Sequence, residues 1–77
     1  MTITGMATSA RRKYREMMVA QKANPHLPRP VWNDIVFEIV TRSGYGPEEV
    51  EEVMSRVNVE AAAQRRRFAQ SWKGRAS

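Results

Sequence analysis

Apolar residues recur at helical spacing in four stretches, each bounded by a proline, a glycine or a capping residue. In the first, Ala10, Tyr14, Met17, Met18 and Gln21 share a face flanked by Arg11, Arg15 and Lys22. Thr8 or Ser9 can cap this helix, which is expected over 8–23. Asn24 to Pro30 contains three prolines and reads as a stiff loop. In the second stretch, 31–42, Trp32, Ile35, Val36, Ile39 and Val40 cover one wide face, with Asp34, Glu38 and Thr41 opposite and Phe37 off the stripe. Several of these residues are β-branched, but the period is nearer 3.6 than 2, so a helix is predicted.

Ser43-Gly44-Tyr45-Gly46-Pro47 punctuates the chain. Gly44 can end the second helix in the left-handed conformation, and Pro47 suits the start of the next. Val50, Val53, Met54 and Val57 make the narrow stripe of a third helix, 47–57. Asn58 is placed to cap a fourth, 59–73, on which Ala61, Phe68 and Trp72 share a face. Residues 1–7 show no periodicity and are expected to be disordered, with Met6 an alternative start. The predicted class is all-α: a compact bundle of about four short helices forming one domain over 8–74, with a frayed tail at 75–77. Its expected core is Tyr14, Met17, Trp32, Ile35, Val36, Ile39, Val40, Val50, Val53, Val57, Phe68 and Trp72.

Charge changes this picture more than composition does. Residues 1–23 hold Arg11, Arg12, Lys13, Arg15 and Lys22 against Glu16, a net of +4. Residues 24–60 hold three arginines against Asp34, Glu38, Glu48, Glu49, Glu51, Glu52 and Glu60, a net of −4. Residues 61–77 hold Arg65, Arg66, Arg67, Lys73 and Arg75 with no acid, a net of +5. One account of this basic–acidic–basic order is that the ends fold against the middle and are neutralised. The other is that they form one basic surface for a polyanion. Consecutive arginines fan over about 200° of a helix, so Arg65, Arg66 and Arg67 cannot all face one partner.

Candidate chemistry is sparse. The chain has no cysteine and one histidine, His26, in the proline-rich loop, so no metal or cofactor is expected. No nucleophile–base pair is legible, the four clustered glutamates read as a solvated face, and Gly-Tyr-Gly lacks the lysine and spacing of a phosphate loop. An enzyme is not expected. No apolar run approaches the roughly 18 residues of a membrane span. With the missing cysteine this suggests a cytoplasmic protein without a membrane or small-molecule partner, although the arginine-rich start has something of a transit peptide.

The second helix, glycine turn and third helix have a helix-turn-helix layout, but the would-be reading helix carries Glu48, Glu49, Glu51 and Glu52, which phosphate repels. The stretch Ile35 to Ala63 resembles ubiquitin-associated three-helix domains at Gly44-Tyr45-Gly46 and at Asn58-Val59-Glu60-Ala61-Ala62. This resemblance implies that Asn58 begins a separate helix. More loosely, the chain resembles the opening helix pair of bacterial HU-type histone-like proteins, without their DNA-binding β-arm. Both are read as convergence on a helical hairpin, and no family is assigned.

The leading expectation is a nucleic-acid-associated accessory or regulatory factor that binds phosphate through Arg11, Arg12, Arg15, Arg65, Arg66, Arg67 and Lys73. The alternatives are an adaptor or inhibitor docking on a larger protein through Trp32, Phe37, Phe68 and Trp72, or a structural or assembly subunit. The wide apolar face of the second helix suggests a homodimer or a heteromeric contact.

Overall fold

Thr2 opens the first helix: its hydroxyl accepts the Gly5 backbone N–H at 2.9 Å. The computed structural model describes the backbone of residues 2–76 and the side chains of residues 2–71. Within that range three helices form, α1 (Ile3–Ala23), α2 (Trp32–Arg42) and α3 (Pro47–Ala76), with no strand among the described residues. The all-helical class is as predicted, but the number of helices differs.

Residues 3–7, expected to be disordered, are the first turns of α1. Met6, Ala7 and Ala10 are fully buried, and Ile3 packs on the core beside them. Ile3, Met6, Ala7, Ala10 and Tyr14 make a helical stripe that holds these turns down. Thr8 is therefore no cap; its hydroxyl donates back to the Thr4 carbonyl at 3.0 Å inside the helix.

The second correction lies at Asn58. It does not start a fourth helix, because α3 runs unbroken from Pro47 through it. Its side-chain oxygen accepts the Trp32 indole N–H at 2.7 Å. An asparagine competes with helix when its side chain bonds its own backbone; here the indole occupies that oxygen. The helix start implied by the resemblance to ubiquitin-associated domains is thus absent.

The buried core is Met6, Ala7, Ala10, Ile35, Val36, Val40, Val50, Val53, Val57 and Ala61. Tyr14, Trp32, Ile39 and Met54 pack against it half-buried. Met17 and Phe68, expected inside, are 37% and 57% exposed. Phe68 lies on a part of α3 where every residue from Arg65 to Ser71 is exposed. The Trp72 side chain, the other expected core aromatic, is outside the described residues, as is Lys73.

The molecule is a thin plate of 46 × 33 × 15 Å. At 1.5 Å per residue α3 is about 45 Å long and α1 about 32 Å. These lengths match the two larger extents, so the long helices lie across one another. The small residues Ala7 and Ala10 of α1 and Ala61 of α3 are all buried in the shared core. α2 fills the angle and buries Ile35, Val36 and Val40. Pro30 is buried just ahead of it, and Val31 is its N-terminal boundary.

The turn behaves as its glycines suggest. Gly44 has φ +91°, and its N–H donates to the Thr41 carbonyl at 3.2 Å. A Cβ built on Gly44 or on Gly46 meets nothing within 4 Å. Only backbone strain therefore separates the two sites. Gly44→Ala is expected to cost about 1–2 kcal/mol in urea unfolding, whereas Gly46→Ala is expected to be close to neutral. Equal effects at the two positions would contradict the left-handed turn.

Candidate nucleic-acid interface

The crossing of α1 and α3 leaves a cleft of about 590 Å³, lined by Arg11, Tyr14, Arg15, Met18, Trp32, Asn58, Ala61, Ala62 and Arg65. Positions 11, 14, 15 and 18 recur at helical spacing on α1, as do 58, 61, 62 and 65 on α3. Each helix therefore contributes one wall, and α2 contributes Trp32 at its first turn.

Trp32 is fixed on two sides. Its Nε1 donates to Asn58 Oδ1, and its ring stands edge-on to Tyr14, with centroids 5.9 Å apart and planes at 78°. Sequence reading placed Trp32 both in the core and among the candidate interface residues; in the structure it packs against the core and contacts both other helices. Gln64 fastens the same crossing from its flank. It accepts from Arg11 Nη1 at 3.1 Å and donates to the Thr8 hydroxyl at 3.2 Å and the Thr4 carbonyl at 3.3 Å.

The seven cations singled out from sequence divide into groups. Arg11, Arg15 and Arg65 meet at the cleft. Arg12 and Arg66 are exposed one residue to the side of it on each helix. Arg67 points elsewhere and donates to Glu60 Oε1 at 2.9 Å. The Lys73 side chain lies outside the described residues.

Among the described residues the ion pairs are Arg42–Glu38, Arg56–Glu52 and Arg67–Glu60, each within one helix. The α1 arginines therefore have no carboxylate partner there, and Arg67–Glu60 is the one ion pair among the described residues that joins a basic end to the acidic middle. Glu48, Glu49, Glu51 and Glu52 stand exposed at the opposite end of α3, about 20–25 Å along the axis from Arg65. The dipole of α3 favours Glu48 and Glu49 in its first turn. It says nothing of Arg11, Arg12 and Arg15, which lie in the middle of α1.

The other interface candidates fare differently. Phe37 is 53% exposed and lines a shallower groove with Tyr45, Pro47, Val50, Glu51 and Met54. Phe68 stands free on the projecting turns of α3. Sequence reading missed Tyr14, Met18, Asn58 and Ala62 as cleft residues. A buried indole needs an acceptor, so Trp32 signals that some polar partner exists, but no local pattern points 26 positions ahead to Asn58.

Comparison with protein-family models, curated proteins and solved structures finds no match for this chain. Among the described residues no helix is long and apolar enough to cross a membrane.

The Trp32–Asn58 link makes an ordering of stabilities. Trp32→Phe removes the donor and leaves the half-buried Asn58 oxygen unpaired, at a cost of about 1–2 kcal/mol. Asn58→Ala leaves the half-buried indole N–H unpaired at a similar cost, but keeps the indole's packing and gains roughly 0.5 kcal/mol of helix propensity. Trp32→Phe is therefore expected to be the more damaging in thermal or urea unfolding. The reverse order would show that the bond contributes little.

Proposed function

We propose that this chain is a small accessory nucleic-acid-binding protein that grips phosphate through Arg11, Arg12 and Arg15 of α1 and Arg65 and Arg66 of α3. The observation that carries the reading is the convergence of Arg11, Arg15 and Arg65, from the two basic segments, on one cleft without carboxylate partners among the described residues. Arginine suits this role, since its planar fork contacts phosphate oxygens two at a time. Glu48, Glu49, Glu51 and Glu52 sit at the far end of α3 and Asp34 and Glu38 on α2, while Glu60, nearer the cleft, is engaged by Arg67, and Glu16 is the one acid of α1.

A protein-docking role is the second reading, favoured by the exposed ring of Phe37 in its groove. Self-association through α2 has less to draw on than its sequence suggested. The chain's own helices cover Ile35, Val36 and Val40, which leaves Phe37 as the large exposed residue of α2.

Phosphate binding is expected to fall with salt at a log–log slope of about −0.9 per phosphate neutralised on duplex DNA. Arg66→Ala and Arg15→Ala should each flatten that slope by about one and weaken all sequences alike. Arg67→Ala should change it far less, because Glu60 already holds that guanidinium. Titrations of duplex DNA at two salt concentrations check this. No binding at the lower salt would overturn the nucleic-acid reading and promote docking through Phe37.

A further inference from the structure

Phosphate binding uses only the rim of the cleft between α1 and α3. Tyr14, Met18 and Trp32 make an apolar floor, and the volume of about 590 Å³ falls in the range of small-molecule sites, roughly 300–1,000 Å³. The indole is held by Asn58 at 2.7 Å and braced by Tyr14, so its orientation is set before any ligand arrives. None of the residues lining the cleft is acidic. Asn58 has spent its oxygen on an N–H that can only donate, which leaves its amide nitrogen as a donor. Arg15 and Arg65 donate as well. The cleft therefore asks for a flat apolar ring that carries hydrogen-bond acceptors and lies beside negative charge.

We propose that the cleft seats one unpaired base of a single-stranded nucleic acid, packed on Trp32 and Tyr14. The adjoining phosphates lie on Arg15 and Arg65, and Asn58 Nδ2 donates to a carbonyl or ring nitrogen of the base. Aromatic platforms beside cationic grooves are how single strands are held without sequence readout. In a duplex the faces of the bases are stacked and out of reach, so a duplex engages the arginines alone. This inference rests on the phosphate-binding reading above and adds to it the form of the nucleic acid.

The test compares oligothymidylate, a duplex of equal phosphate number, and thymidine monophosphate at one salt concentration. Trp72→Phe leaves Trp32 as the sole indole reporter. Ala62 is exposed on the cleft wall, so Ala62→Leu fills the cleft at unchanged charge while keeping a good helix former; its melting temperature checks the fold. Arg65→Ala is a second variant at an exposed position. The expected result is that the single strand binds about tenfold more tightly than the duplex and quenches Trp32. Ala62→Leu removes that advantage and leaves duplex binding within about twofold, as loss of one stacked base requires. Arg65→Ala weakens both forms. Equal binding of strand and duplex, unaffected by Ala62→Leu, would overturn the base seat and leave phosphate binding standing. Monophosphate binding as tight as the oligomer would overturn the single strand in favour of a free nucleotide. Failure of both polymers to bind would overturn both readings.

Discussion

The hydrogen bond from the Trp32 indole to Asn58 is the contact on which this small fold turns. It ties the first turn of α2 to the middle of α3, while the edge-on contact with Tyr14 brings in α1. It also occupies the side chain most able to break α3, so the helix continues past Asn58 and carries its arginines outward. A chain of 77 residues without cysteine has few ways to fix the relative placement of three helices. Here a polar bond at the edge of an apolar core of small and β-branched residues does so.

That placement gives the charge pattern its consequence. Along the sequence the two basic segments are separated by an acidic one; in the fold they share a cleft, and the acidic residues 48–52 are displaced down the length of α3. The same crossing that buries Ala7, Ala10 and Ala61 in the core sets Arg11 and Arg15 around one cleft with Arg65, over an aromatic floor. Core packing and the candidate site are thus two sides of one helix crossing.

Much of the fold was legible because local chemistry and tertiary packing agree there. The apolar face of α2, the left-handed Gly44, the start of α3 at Pro47 and the stripe of Val50, Val53 and Val57 follow from periodicity and turn chemistry. The misreadings fall where they disagree. Asn58 is a good cap in isolation and becomes helix interior because of a partner 26 positions away. Residues 3–7 were misread because Thr8 and Ser9 offered a cap as good in isolation as Thr2; Ile3, Met6 and Ala7 in fact continue the stripe of Ala10 and Tyr14. Phe68 fits a helical stripe, but no other helix reaches that turn to cover it. At the site, the arginines were visible singly; which of them would meet, and around which aromatics, depended on a crossing that sequence spacing does not encode.

The central claim is that Trp32 joins all three helices across an unbroken α3. Nuclear Overhauser contacts in the isotopically labelled protein test it directly. The account predicts cross-peaks from the Trp32 indole to the Tyr14 ring and to the Asn58 side-chain amide, together with an uninterrupted run of sequential amide–amide contacts from Val57 through Ala61. A break in that run at Asn58, with no contact between the indole and Asn58, would contradict it.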